Sequence, residues 1–288
     1  MANTSKPPKK HHYVPQAILS YFCFKGASLH YVDRDKLDKG IQQRNKESVF
    51  RRIHYNSFEE PDGNKNASLE TFFAEELDNY IPEWVRLFES ATKTGRLDFG
   101  GNQSRDRFVQ FFFNHRKRTP EFLDPIVEKV AKEAFDEKTL VDLEDKFRPL
   151  TEEERQLVRS DQFQNKALRN ARVENLSKQA EPILGRLASM KIVIASPTRL
   201  TKNFVVASNP VARFEDYPWE QLGSSGVELW TTMTPRIAVG FVAKSRIPDV
   251  ILLDDSTVRK MNMTLTKQSR AIAATSAPLL RSIAKSAW

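Results

Sequence analysis

Along 67–91, Leu69, Phe72, Phe73, Leu77, Ile81, Trp84, Val85 and Phe88 recur at three- and four-residue steps, which is the stripe of an amphipathic helix. Pro82 lies inside that stripe, so the stretch is expected to kink there or divide into two helices. A second helix is predicted over 102–118, with Phe108, Phe111, Phe112 and His115 along its buried side, and a third over 120–135. Thr151-Glu-Glu-Glu154 has the form of a capping box, from which a long helix should run towards Met190, with Pro182 as a point of interruption. Nearer the start, Pro15 opens a short apolar helix carrying Ile18, Leu19 and Phe22 on one face, 28–32 alternates like a strand, and 36–46 is polar enough for a loop.

After Met190 the period changes. Residues 191–195, 204–207, 228–231, 237–242 and 250–253 are short β-branched or aromatic runs separated by Pro, Gly and Ser, and they read as strands. Helical spacing returns over 254–275, with Asp255 or Ser256 as cap and Val258, Met261, Leu265 and Ile272 facing the core. Helices first and strands later, without βαβ alternation, give an α+β fold. The expected layout is a helix-rich N-terminal two-thirds packed on a small, mainly antiparallel C-terminal sheet with a final helix. No internal repeat or long linker divides the chain. The expected organisation is a flexible basic arm over 1–10, one domain over 11–275 and a tail over 276–288.

Composition narrows the classes. The 288 residues are 40% hydrophobic and 28% charged, enough for a sizeable core. The apolar runs are far short of the ~20 residues that span a bilayer, and 1–10 lacks the apolar stretch of a secretion signal. A single cysteine, Cys23, excludes an internal disulfide and a cysteine-based zinc cage. A cytoplasmic protein with no membrane contact is expected. The net charge of +8 is unevenly spread. Segments 1–56, 93–118 and 155–202 carry net charges of +7, +5 and +7, and 121–154 carries −7. Basic segments flanking an apolar core suit a phosphate backbone, because each contact releases a condensed counterion. Long helices also solvate themselves with charge, so this pattern alone does not identify a partner.

Four segments could carry chemistry. In Lys9-Lys-His-His-Tyr-Val-Pro-Gln16, the like charges of Lys9 and Lys10 disfavour protonation of His11 and His12, which helps keep a neutral base near pH 7. One histidine could then take a proton while a lysine holds a phosphate; the same composition also fits a solvated tail. The corner Phe113-Asn-His-Arg-Lys-Arg-Thr-Pro120 offers Arg118 for bidentate phosphate contact, against simple C-terminal capping. Phe204-Val-Val-Ala-Ser-Asn-Pro-Val211 ends a strand with Asn209 held by Pro210, an arrangement equally suited to presenting a side chain or to reversing the chain. Thr231-Thr-Met-Thr-Pro-Arg-Ile237 joins two strands and holds Arg236 near the sheet edge. No HExxH, paired-Asp spacing, GxGxxG, GxxxxGK[ST] or GxSxG occurs, and Cys23 sits in an apolar run. A divalent metal held by ligands distant in sequence stays open. Trp219, Trp230 and Trp288 suit an interface or a core.

Taken in order, His11–Gln16, Arg118-Thr-Pro120, Ala207-Ser-Asn-Pro-Val211 and Met233-Thr-Pro-Arg236 resemble the motifs of a bacterial family of unknown function, the domain-of-unknown-function 4238 family. Members begin with His-His-Tyr-Val-Pro-Gln, and carry Arg-Thr-Pro, Ser-Asp-Asn-Pro-Val and a Pro-Leu-Thr-Pro-like junction in that order. The resemblance spans most of the chain, roughly 11–275, and implies a shared fold and pocket in which the histidine pair is not a tag. It implies no reaction. Where the family pattern has Asp before Asn-Pro, this chain has Ser208; if relatives use that carboxylate as a ligand or base, it is missing here.

These observations lead to a nucleic-acid-directed enzyme, a nuclease of a bacterial defence or toxin-like system. His12 would act as general base or acid with His11 as partner or ligand, Gln16 and Asn209 would orient the phosphate, and Lys9, Lys10, Arg118 and Arg236 would bind it. On this reading His12, Arg118, Asn209 and Arg236 converge in one cleft. The alternative is a non-catalytic nucleic-acid-binding or regulatory module within a larger assembly, with a protein partner. There the basic arm and the 155–202 helix bind phosphates, and the histidine motif pins the N-terminus to the core.

Overall fold

The computed structural model describes residues 9–178, 180–214, 222–224, 226–243 and 246–288. Of the basic arm only Lys9 and Lys10 fall within them; the rest of the arm and Trp219 lie outside the described residues.

The chain starts with a short strand, β1 (Lys10–His12), and Pro15 then caps α1 (Gln16–Tyr21), which buries Ile18 and Leu19. Strand β2 (Ser28–Asp33) follows. The polar stretch after it is more ordered than its composition suggests: a 3-10 turn over Arg34–Lys39 leads into β3 (Gln42–Asn45), which pairs antiparallel with β2. A polar edge strand needs no apolar alternation, so periodicity gave no sign of it. Strand β4 (Arg51–Ile53) pairs with β1, and β5 (Phe58–Glu59) with β6 (Lys65–Asn66) in a small hairpin.

The apolar stripe at 67–91 is divided, as Pro82 requires. Helix α2 (Ser68–Phe72) runs into a wider π turn over Phe73–Leu77 and a 3-10 turn over Asp78–Tyr80 before α3 (Ile81–Thr94) begins. Pro82 stands in the first turn of α3, where its missing N–H costs nothing, so the break falls just before it. Helix α4 (Asn102–Lys117) buries Phe108, Phe111 and Phe112, and α5 (Pro120–Ala134) starts directly after the corner at Arg118 and Thr119. Next comes α6 (Glu137–Lys146). The capping box is present at α7 (Glu152–Arg159), but the long helix expected from it is interrupted at Ser160, which caps α8 (Asp161–Ser177), before α9 (Glu181–Ser189).

The later strands form two sheets rather than one. In the first, β12 (Val250–Leu253), β7 (Lys191–Pro197), β11 (Ile237–Val242), β10 (Glu228–Thr234) and β9 (Val211–Phe214) lie in that order, antiparallel except for the parallel β12–β7 pair. The second has the order β3-β2-β13-β8, with β8 (Val206–Ala207) and β13 (Ala271–Ala274) joined to the N-terminal strands. The fold is therefore α+β: five of the C-terminal strands make a mainly antiparallel sheet of their own, while β8 and β13 join the N-terminal strands instead. Residues 208–210 carry the chain from one sheet to the other. The 254–275 stretch also differs from expectation. Asp254 caps α10 (Asp255–Lys267), its side chain accepting from the Thr257 N–H, and the residues around Ile272 are strand β13. Residues 276–288, expected to be a tail, carry helix α11 (Ala277–Ala287), which buries Leu280 and Ile283.

Helix α4 is the middle layer of the main core. Its Phe108 meets Trp84 and Phe88 of α3 at 5.2 Å each between ring centroids, and Phe112 meets Phe241 of β11 at 4.3 Å. On the far side of the same strand, Gly240 faces Trp230 across the β10–β11 pair, and a Cβ there would lie 2.5 Å from the indole. Gly240→Ala is therefore expected to lower stability by about 1–2 kcal/mol through overpacking, read from urea unfolding. An unchanged midpoint would mean that the indole has room to shift.

The uneven charge along the chain has a packing explanation. Glu137 pairs with Arg159, Glu144 with Arg155, and Asp124 with Arg52 and Arg172, so the acidic α5–α7 segment folds against basic residues that neutralise it. Arg169 pairs with Glu59, and Lys166 donates to the Glu60 carbonyl. Two of the cations of α8, Lys166 and Arg169, thus hold the β5–β6 hairpin, and the third, Arg172, pairs with Asp124 of α5. No helix among the described residues is long and apolar enough to cross a membrane.

Candidate functional site

The β1–β4 pairing sets the two histidines on opposite faces. His11 pairs with Arg52 and His12 with Arg51. His11 is fully buried, its Nδ1 accepting from the Asn56 N–H at 2.9 Å with Glu70 at 3.8 Å and the Ser57 hydroxyl 3.5 Å from Nε2. That hydrogen bond assigns the proton of the neutral ring to Nε2. This is a pin between the first strand and the core.

His12 faces the other way, with Nδ1 3.3 Å from the Gln16 side-chain amide, one turn on, and Nε2 closed off from solvent. Burial pushes its pKa down to about 4, helped by the guanidinium groups of Arg51 and Arg118 and opposed by the Glu47 carbonyl. His115 is buried against Phe111 with neither ring nitrogen hydrogen-bonded among the described residues, and burial holds its pKa well below the usual value. The sign of the pH dependence follows. Below the ordinary value of 6.5, the unfolded chain takes up protons that the folded chain refuses, so stability is kept above 6.5 and lost as pH falls towards 4. Between pH 7 and 5 His12 should account for about 1 kcal/mol, after halving for its partial exposure to solvent. His115 adds in the same direction. Urea unfolding of wild type and His12→Gln at both pH values checks this; equal losses in the two proteins would remove His12 from the account.

The other residues expected to join His12 are committed elsewhere. Arg118, 1% exposed, makes a bidentate pair with Asp78 at 2.9 and 3.0 Å and lies over the Phe73 ring. Asn209 donates through its side chain to the Gln268 carbonyl, joining the segment between the two sheets to the end of α10. Arg236 donates to the carbonyls of Pro197, Arg199 and Lys202, closing the loop after β7. Lys9 and Lys10 are exposed at the start of β1. Arg118, Asn209 and Arg236 thus act as local clamps, although the charge of Arg118 is close enough to His12 to bear on its imidazole. A rigid guanidinium at a helix corner satisfies carbonyls and carboxylates as readily as phosphates, and the sequence pattern is the same for both.

Two of the family-like motifs meet at one cleft, through different residues, and Ser208 of a third lies beneath it. Tyr13 from the histidine motif, Glu121 directly after Arg118-Thr-Pro120, and Arg270 and Ala271 at the start of β13 line a polar cleft of about 340 Å³. Tyr31 and Asp33 of β2, Arg44 of β3 and Arg51 and Arg52 of β4 complete its walls. Beneath it, Ser208 donates to Glu121 and accepts from the N–H groups of Arg270 and Ala271 at 3.0 Å each. So the position where the resemblance implies an aspartate is filled by a hydroxyl that satisfies a carboxylate. The other Glu121 oxygen, Oε2, is closed to solvent and has no hydrogen-bond partner among the described residues.

Most cations of the cleft are paired: Arg52 with Asp124, Arg270 with Asp35, and Arg44 through Nε to Gln42. Arg51 makes no hydrogen bond or ion pair among the described residues. Burial raises the Tyr13 phenol above its usual pKa, and nearby Glu121 adds to it; Tyr31 is raised by burial and then Asp33. Both therefore stay protonated hydroxyl groups at neutral pH. Strand β4, which presents Arg51, is bracketed by Phe50 and His54, non-glycine residues at φ 50° and 51°. Left-handed backbone outside glycine costs of order 1 kcal/mol and gathers at functional sites. His54→Val should lower stability by about 1–2 kcal/mol while His54→Gly is neutral or stabilising, as read from melting temperatures. A valine variant as stable as the glycine one would show that there is no strain at this position.

Tyr13, Tyr31, Arg51, Glu121 and Arg270 line the cleft without being among the residues expected from sequence to form a site. Tyr13 and Glu121 sit within or beside the motifs, where that alone could have marked them; Arg51 and Arg270 carry no pattern. Cys23 is half-buried and burial raises its thiol pKa, in keeping with an unreactive group. Among the described residues, no group of three or more His, Cys, Asp or Glu side chains is placed to hold a metal ion. A family model described as a protein of unknown function (DUF4238) matches residues 10–276. No curated protein and no solved structure matches.

Proposed function

The chain belongs to the DUF4238 family, and we propose that its polar cleft binds a phosphate-bearing polyanion, a nucleic-acid strand, in the cytoplasm and without cutting it. The observation that carries this reading is the unpaired Arg51 guanidinium on the wall of a cleft whose lining also holds Lys36, Arg44, Arg52 and Arg270 against Asp33 and Glu121. A guanidinium without a partner in a confined polar space is a ready donor for a phosphate oxygen. The Tyr13 hydroxyl can add a neutral donor, whereas that of Tyr31 already donates to Asp33, and Glu121 can accept from a sugar hydroxyl. Membership of a larger assembly is supported by Ile126, Val130, Val141, Leu143, Phe147 and Leu157, which are large apolar side chains left exposed along α5–α7.

A hydrolytic version would have to use Glu121, whose Oε2 beside Tyr13 has no partner among the described residues but is closed to solvent, so a water would have to enter beside it. His12 is a poorer base still, because one ring nitrogen is engaged by Gln16 and the other is likewise shut off from solvent. Labelled single- and double-stranded DNA and RNA, incubated with wild type with and without divalent metal, separate the two. Salt-sensitive retention of an intact probe is expected. Cutting that Glu121→Gln abolishes would establish the hydrolytic version, and neither retention nor cutting would end both.

A further inference from the structure

A second cavity, larger than the polar cleft, lies where α2, α4, α8 and α9 meet beside the β5–β6 hairpin. It measures about 550 Å³ and its walls are mainly apolar, with Phe58, Phe72, Phe113, Leu176 and Leu184 prominent. That volume falls in the range of small-molecule sites. The ionisable side chains on its lining are Glu174 and Lys178, which pair with each other at 2.9 Å and leave no net charge for an ionic ligand. The amides differ from one another. Asn114 donates to the Gln110 carbonyl and Asn66 to Glu60, whereas the Gln110 side-chain amide has no hydrogen-bond partner among the described residues.

We infer that this cavity is a binding site for a small, uncharged and largely apolar molecule carrying one hydrogen-bonding group, with that group on Gln110. Apolar walls supply most of the affinity through burial, and the unpaired amide fixes the orientation. The site is independent of the polar cleft, so it stands whether or not the cleft binds nucleic acid.

The test uses a series of the same chain length and different charge: 1-octanol, octanoate and octylammonium, each titrated into the full chain by calorimetry and thermal shift. Octanol is expected to bind and raise the melting temperature, and the two ions to bind at least about tenfold more weakly, since neither finds an unpaired countercharge. Ser177→Trp, at an exposed position on the cavity lining, should fold normally and lose octanol binding. Gln110→Leu keeps the volume and should weaken octanol by about three- to tenfold while leaving n-octane unchanged. No octanol binding up to its solubility would overturn the inference. So would binding that both variants leave intact, or octanoate or octylammonium binding as tightly as octanol.

Discussion

Arg118→Met is expected to cost about 3–5 kcal/mol of folding stability. The sequence presents Arg118 as a phosphate-binding candidate at a helix corner, but its guanidinium is almost fully buried and grips both Asp78 oxygens. Asp78 belongs to the 3-10 turn that separates α2 from α3, so the pair ties the end of α4 to the break in the first helical stripe. Deleting the arginine leaves the half-buried Asp78 carboxylate without its counter-charge and strips the guanidinium from the Phe73 ring. Asp78→Asn should be at least as damaging, because the cation it strands is more buried than the carboxylate. Arg118→Met with Asp78→Leu removes both charges and should recover much of the loss, as buried ion pairs replaced by apolar groups often do. Urea unfolding of the two single variants and the double variant measures this. A stable Arg118→Met protein that had lost affinity for nucleic acid would restore Arg118 to the binding site.

The same arginine shows what the sequence could convey. Helices α3 to α5 and strands β7, β10, β11 and β12 were legible because their buried faces repeat with the period of the element, and burial is what selects those residues. Strand β3 and the break at Ser160 were not, since a polar edge strand and a local cap leave no apolar period to read. The second sheet was hidden for another reason. It joins β2 and β3 to β8 and β13 across most of the chain, and register between distant strands is not written in either one alone. At the candidate site, the motif residues and the lining of the polar cleft are neighbours in the chain. His11, Arg118 and Asn209 hold chain segments together, while Tyr13 and Glu121 next to them line the cleft. Hydrogen-bonding residues needed for a tight crossing and those needed for a ligand are the same types, so only their partners tell them apart.

Arg51 is the residue on which the functional account rests. Its Nε is closed to solvent, it has no partner among the described residues, and strand β4 holds it between two strained backbone positions. Arg51→Gln keeps most of the volume and removes the charge. Because Arg51 has no ion pair to lose, stability should change by less than about 0.5 kcal/mol, whereas binding loses a charge-assisted contact worth tenfold to hundredfold. His12 should respond as well: with a neighbouring cation gone, its pKa should move up from about 4.

The most direct test is a fluorescence anisotropy titration of a labelled single strand with wild type and Arg51→Gln, across about 50–200 mM salt. The account predicts binding that weakens steeply with salt in the wild type. In the variant it predicts an affinity at least about tenfold lower and a salt slope shallower by about 0.7, the share of one released counterion. A folded Arg51→Gln protein that bound with the wild-type affinity and slope would contradict it.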